Sequence, residues 1–231
     1  MNRALRRMAL AFILLAALAA RAFSAGSEKA AGDSKAAESQ PAAAAKPSDD
    51  AAKDPATLVR GTVDKILAIL QKPEYKDADK RKALREEIRR TLLSVANMER
   101  LATLTLANYK SKLSSEQYQK FLDLFSQLLF STYIKRIEEY TDEKVEILKT
   151  TKDGDTRAVV QTTVITDAQR YPVDYSLAKD GDIWTFYDVK IEGVGLVQNY
   201  RTQFREMLVN DSPDKFLERI EKKVAENEKA S

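Results

Sequence analysis

The period of the hydrophobic positions changes along this chain, and the changes divide it into elements. From Thr57 onward Leu58, Val59, Val63, Ile66, Leu67 and Leu70 recur three and four apart and stop short of Pro73, which predicts a first helix. A second starts after Asp77 and carries Leu84, Ile88, Leu92 and Val95 on one stripe, then continues irregularly through Met98, Leu101, Leu104 and Leu106. Ser114-Ser115-Glu116-Gln117 reads as a capping box, a hydroxyl N-cap with a glutamine three residues on. The helix that follows holds Tyr118, Phe121, Leu122, Phe125, Leu128, Leu129, Tyr133, Ile137 and Tyr140 on one broad face, with Leu124 and Phe130 off it. That is more apolar circumference than a surface helix needs. Such a helix is sandwiched between neighbours or lines a space.

Between 143 and 191 the period falls to two. Val145 and Ile147 alternate, Asp153-Gly154 marks a turn, 157–166 is rich in Val, Thr and Ile, 171–177 alternates, and Asp180-Gly181 turns the chain into 183–191. Turns this short make the four strands antiparallel neighbours. Pro172 puts the start of the third at or near an exposed edge. Strict alternation separates Val159 and Ile165 from Val160 and Val164. It likewise separates Ile183, Tyr187, Val189 and Ile191 from Trp184 and Phe186, so both faces are expected to meet apolar material. Two helices close the chain, one over about 194–209 and one from Ser212-Pro213 carrying Phe216, Leu217, Ile220 and Val224. The expected class is α+β, an antiparallel four-stranded sheet packed with five to six helices around an apolar pocket.

The N-terminal end follows other rules. Arg3, Arg6 and Arg7 precede an apolar run over 8–20, and Ala20-Arg21-Ala22 offers a small-x-small cleavage site, with Ala22-Phe23-Ser24 as a second. The run of 13 residues is short of the roughly 20 that cross a bilayer, so residues 1–22 are expected to be a cleavable signal peptide. No cysteine follows it to carry a lipid anchor. Residues 23–56 are rich in Ala, Ser, Lys, Asp and Pro and nearly free of large apolar side chains, the composition of a disordered linker. The folded domain is then expected over 57–231.

Composition narrows the chemistry. The 231 residues include no cysteine and no histidine, which removes disulfides, thiolate nucleophiles, the commonest general base and the commonest metal ligand. The formal charge is +3, but four of the 38 cations (Arg3, Arg6, Arg7, Arg21) lie in the first 22 residues, which hold no acid. The remainder carries 34 cations against 35 acids and no basic block, a poor match for nucleic acid. Asp174, Asp188 and Glu192 are carboxylates at strand positions, but their spacing matches no hydrolase or metal motif. Gly193-x-Gly195 lacks the third glycine and the lysine of a phosphate loop. No catalytic residue, metal or cofactor is expected.

The most informative segment is Asp188-Val189-Lys190-Ile191-Glu192-Gly193-Val194-Gly195-Leu196-Val197-Gln198-Asn199-Tyr200-Arg201-Thr202-Gln203-Phe204. Locally it is a strand end, a glycine-permitted bend and a helix carrying Leu196, Val197, Tyr200 and Phe204. The run resembles the signature of the MlaC, or toluene-tolerance, family of periplasmic phospholipid-binding proteins. Further points of similarity are Leu113-Ser114-x-Glu116-Gln117-x-x-x-Phe121 with Phe125, Leu129 and Tyr133, then Val173-Asp174-Tyr175, then Trp184 ahead of Tyr187-Asp188. The resemblance spans about residues 57–225; it departs from the family at Gly195, where serine is usual, and at Tyr109, where tryptophan is common.

The resemblance implies a periplasmic carrier, not an enzyme, with phospholipid as cargo. Its acyl chains would lie between sheet and helices, and its partners would be an outer-membrane lipoprotein complex and an inner-membrane complex of an MCE-domain ring and an ABC transporter. A monomer is expected. The residues expected to line the pocket are Phe121, Phe125, Leu128, Leu129 and Tyr133 on the long helix, Val164, Tyr175, Trp184 and Phe186 on the strands, and Leu196, Val197 and Tyr200 after them. Two other readings stay open on the residues alone. One is an interaction protein with a filled interior; the other is a small-molecule enzyme built on a buried Asp188.

Overall fold

The structure, a computed structural model, describes residues 54–139, 144–166 and 169–230. The expected signal peptide, most of the linker and Tyr140 lie outside the described residues. The first helix, α1 (Pro55–Leu70), starts inside the segment expected to be linker. Asp54 makes this possible, because its carboxylate accepts from the Thr57 amide at 2.9 Å and Pro55 supplies a ready-made first turn. A short 3₁₀ turn at Pro73–Lys76 leads to α2 (Ala78–Val95), capped by Asp77.

The irregular stripe after Val95 proves to be a separate helix, α3 (Met98–Leu106). Ala96 and Asn97 leave the helical path to meet the sheet, where the Asn97 amide donates to the Phe186 carbonyl at 2.7 Å. The long helix α4 (Ser115–Glu138) opens on the expected capping box, with both reciprocal bonds of Ser114 and Gln117 formed. After the strands come α5 (Leu196–Asn210) and α6 (Pro213–Lys229), the latter capped by Ser212.

The strands β1 (Lys144–Asp153), β2 (Arg157–Ile165), β3 (Arg170–Asp180), β4 (Ile183–Ile191) and β5 (Val194–Gly195) form one antiparallel meander in chain order. Among the described residues the sheet therefore has five strands where four were expected. The fifth is two residues long and is made by a tight turn at Glu192 and Gly193, both at positive φ (49° and 86°), as a primed hairpin turn requires. It takes up the first residues expected of the following helix. β3 is an interior strand, contrary to the edge position read from Pro172. The proline is tolerated because it lies near the strand's start, one residue before the first pair with β4, Val173 with Ile191.

The largest correction concerns the sheet faces. Pairing of β3 with β4 skips a residue: Ser176 opposes Asp188, and Leu177 opposes Phe186. Tyr187 is the extra residue of a β-bulge, and a bulge reverses which side the following side chains take. Trp184 and Phe186 thus share a face with Val189 and Ile191, not the opposite one. A second bulge, at Leu148 in β1, leaves that side chain 62% exposed. One face then collects Val145, Ile147, Val160, Val164, Tyr171, Val173, Tyr175, Leu177, Trp184, Phe186, Val189 and Ile191. The other carries Lys149, Thr151, Gln161, Asp174, Ser176 and Lys190, with Val159 and Ile165 only half-buried. The sheet is one-sided.

Two cores result. At one end α3–α6 pack around an aromatic box in which the Phe121 ring lies 5.3–5.6 Å from those of Phe125, Phe204 and Phe216. At the other, Leu58, Val59 and Val95 cover Ala158, Val160, Leu177 and Trp184 of the sheet.

Candidate functional site

α1 crosses the apolar sheet face with Val59, Thr62, Val63, Ile66, Leu67 and Leu70 turned towards it, the three- and four-residue spacing that puts six side chains on one helix face. It does not fill the space beneath. A cavity of about 320 Å³ remains, at the small end of the 300–1,000 Å³ usual for ligand pockets. Its floor is Val145, Val164, Val173, Tyr175, Phe186, Val189 and Ile191, and its sides are Leu92 of α2, Leu196 of α5, and Tyr133, Arg136, Ile137 and Glu139 at the end of α4.

Of the twelve residues expected to line a pocket, the structure brings together five here: Tyr133, Val164, Tyr175, Phe186 and Leu196. The other seven are placed elsewhere. Phe121, Phe125, Leu128, Val197 and Tyr200 are buried in the helical core, with Leu129 packed against it, because α5 and α6 close over that face of α4. Trp184 lies under α1 near Leu58 and Val59, at the filled end of the sheet. The excess apolar surface of α4 thus divides, the box taking one part and Phe130, Ile134 and Ile137 packing with Ile69 and Ile88 under α1 and α2.

Sequence reasoning missed the α1 stripe, Leu92, Val145, Val173 and, at the end of α4, Arg136, Ile137 and Glu139. The stripe was visible as a helix face, but nothing in its spacing separates a side chain that meets a cavity from one that meets a filled core. Val189 and Ile191 were lost to the bulge, which no residue type announces.

Polar atoms are few in the cavity. Tyr175 stands edge-on to Phe186, their rings 5.7 Å apart, and burial pushes its phenol up to about 12. The Tyr133 phenol is also raised by burial, and Tyr133 packs against the cluster that contains Tyr200, so the cavity wall is tied to the aromatic box. Both phenols are un-ionised in neutral solution.

Charge appears at the end of α4. Arg136 reaches Glu139 at 3.3 Å through one nitrogen. The adjacent Glu138 faces away, held by Arg85 Nε and Nη2 at 2.6 and 2.8 Å and by the Tyr75 hydroxyl at 2.7 Å. Burial alone would raise the Glu138 carboxyl, but the bonds from Arg85 and Tyr75 hold it below its ordinary 4.5. This network locks α2 and the 3₁₀ turn to α4.

Asp188 does not line the cavity. Its Oδ1 accepts from the Val189 and Val197 amides at 2.9 and 3.0 Å, which caps α5 from a distance. The adjacent N-cap position, Gly195, has no side chain to do this, and a Cβ there would lie 3.0 Å from Asp188 Oδ2. Burial raises the Asp188 carboxyl against the lowering effect of these amides. The group is engaged in holding a helix end. Among the described residues no group of His, Cys, Asp and Glu is arranged to hold a metal, and no helix is long and apolar enough to cross a membrane.

A one-sided sheet, a helix laid across it and an apolar cavity between them define an α+β pocket protein. The family model described as MlaC protein matches residues 60–222, and the chain belongs to the MlaC family. It is 26% identical over 168 residues to the toluene tolerance protein ttg2D of Pseudomonas putida, covering 71% of this chain and 77% of that one. It is 24% identical over 155 residues to the intermembrane phospholipid transport system binding protein MlaC of Haemophilus influenzae, covering 64% and 72%. Among solved structures, a phospholipid-binding protein from Ralstonia solanacearum in complex with a phospholipid shares the fold. Its TM-score is 0.66 at 24% identity, covering 73% of this chain and 96% of that one.

Proposed function

We propose that this protein is a non-catalytic periplasmic carrier that holds phospholipid acyl chains in the cavity between α1 and the sheet. It would ferry the lipid between an outer-membrane lipoprotein complex and an inner-membrane MCE-domain and ABC transporter complex. The observation that carries the reading is the apolar cavity itself, in a chain of the MlaC family. Exposing the two chains of a phospholipid to water costs on the order of 24 kcal/mol, from about 30 methylenes at ~0.8 kcal/mol each. A carrier must therefore enclose them, and a lining with so few polar atoms suits that task. The relatives' names point the same way, one being an intermembrane phospholipid transport binding protein. The contact residues we assign are Val63, Ile66 and Leu67 on α1 with Tyr133, Val164, Tyr175, Phe186 and Leu196. The placement of Asp188 as a helix cap removes the motive for an enzymatic reading.

The test is to express the full chain in a Gram-negative host, purify it from the periplasm and extract bound material for mass spectrometry. About one phospholipid per chain is expected. A well-folded protein that emerges empty and takes no lipid from vesicles overturns the reading, and one that stays in the cytoplasm overturns its placement.

A further inference from the structure

Among the described residues the cavity wall carries charge at one spot, and that spot has a definite chemistry. Arg136 is the single cation among the described residues that line the cavity, and Glu139 the single acid. Arg136 belongs to the last turn of α4 and Glu139 caps its C-terminus; their side chains are 27% and 53% exposed, so they stand at the boundary between cavity and water. Their contact is loose: one guanidinium nitrogen at 3.3 Å from one carboxylate oxygen. The other arginine pairs on these helices differ. Arg85 grips Glu138 with two nitrogens at 2.6 and 2.8 Å, and Arg89 grips Glu86 with two at 2.8 Å. Among the described residues Glu139 is the only polar partner of Arg136, so most of its donor fork is unspent.

We infer that Arg136 is a headgroup-selecting residue: it binds the phosphodiester of the carried lipid in two-pronged fashion, and Glu139 is the internal stand-in that the phosphate displaces. The inference rests on the carrier reading above. A planar guanidinium with free donors matches two phosphate oxygens better than it matches one carboxylate at 3.3 Å. Placed at the end of an apolar channel, it fixes the depth to which a lipid enters, with chains inward and phosphate at the rim. It also sets a class preference: a two-chain lipid with a phosphate is retained, and one that ends in a bare hydroxyl leaves Arg136 on Glu139.

The experiment uses delipidated full-length protein and vesicles of phosphatidylcholine containing either phosphatidylethanolamine or diacylglycerol with the same acyl chains. Lipid bound after re-isolation is counted by mass spectrometry. Wild type is expected to load the phospholipids about tenfold better than diacylglycerol, the scale of one partly exposed charge-assisted contact. Arg136→Gln should lose that preference by loading less phospholipid, with diacylglycerol unchanged. Glu139→Gln should load phospholipid better, since the competitor is gone. A merely structural role would move both lipids together and both variants the same way. Wild-type preference retained in Arg136→Gln overturns the inference. Uptake of both lipids equally by wild type brings down this inference alone, and uptake of neither brings down the carrier reading with it.

Discussion

Replacing Phe121 by alanine separates the two ends of the molecule. The side chain is fully buried and meets three other rings at 5.3–5.6 Å in the aromatic box. Truncating a buried phenylalanine costs about 3–5 kcal/mol, and the stacked and edge-on contacts place this site towards the upper value. A domain of this size has a total stability of about 5–15 kcal/mol, so Phe121→Ala should stay folded at low temperature. At about 2–4 °C per kcal/mol its melting temperature should fall by about 6–20 °C. Circular dichroism melts and urea titration measure the loss; mass spectrometry of the folded protein at low temperature measures lipid per chain. The ring does not line the cavity, so lipid content should equal wild type. A variant that keeps its melting temperature but emerges empty would show that Phe121 contacts cargo and that the cavity is misplaced.

Three further expectations follow from other sites. Val63→Asp on α1 puts a charge over the cavity at a half-buried position, so it should abolish lipid retention while circular dichroism stays native; full retention would take α1 out of the binding wall. Glu138 is held ionised by Arg85 and Tyr75 with its folded value below 4.5, so its stabilising effect is complete above about pH 4.5 and is lost as pH falls through the folded value. Glu138→Gln should therefore cost about 1–3 kcal/mol at neutral pH and flatten the acid limb of a stability–pH curve, and an unchanged acid limb would refute the assignment. Asp188→Ala orphans the Val197 amide and should cost about 1–2 kcal/mol, whereas Asp188→Asn keeps an acceptor and should be near neutral; equal losses in urea titrations would deny Asp188 its capping role.

Local signals in the chain predicted the elements well, and non-local ones did not. Asp77, the Ser114–Gln117 box and Ser212 each cap a helix where their side chains say they should, because a cap needs only residues within four positions. The strands follow their alternation and turn glycines for the same reason. The faces of β4 were misread because the bulge at Tyr187 is decided by how β4 seats against β3 and Asn97, not by its own residues. The site was half legible on the same grounds. Tyr133, Val164, Tyr175, Phe186 and Leu196 lie where sheet and helices face each other over space. Phe121 and Phe125 are chemically indistinguishable from them in sequence, yet α5 and α6 fill the space in front of them. Whether apolar surface meets apolar surface or a void depends on the distance between elements, which composition does not encode.

The division of the interior into a packed aromatic box and a roofed hollow has a mechanical meaning. A vessel that must be filled and emptied faces a conflict, because the surfaces that grip cargo are those left bare when it departs. Here the ring cluster that holds the helices together does not line the hollow, and among the described residues Tyr133 and Leu196 both line the hollow and pack against that cluster. On the proposed carrier function, loss of a lipid would strip contacts from α1 and the sheet, while the rings of the helical half keep one another as partners.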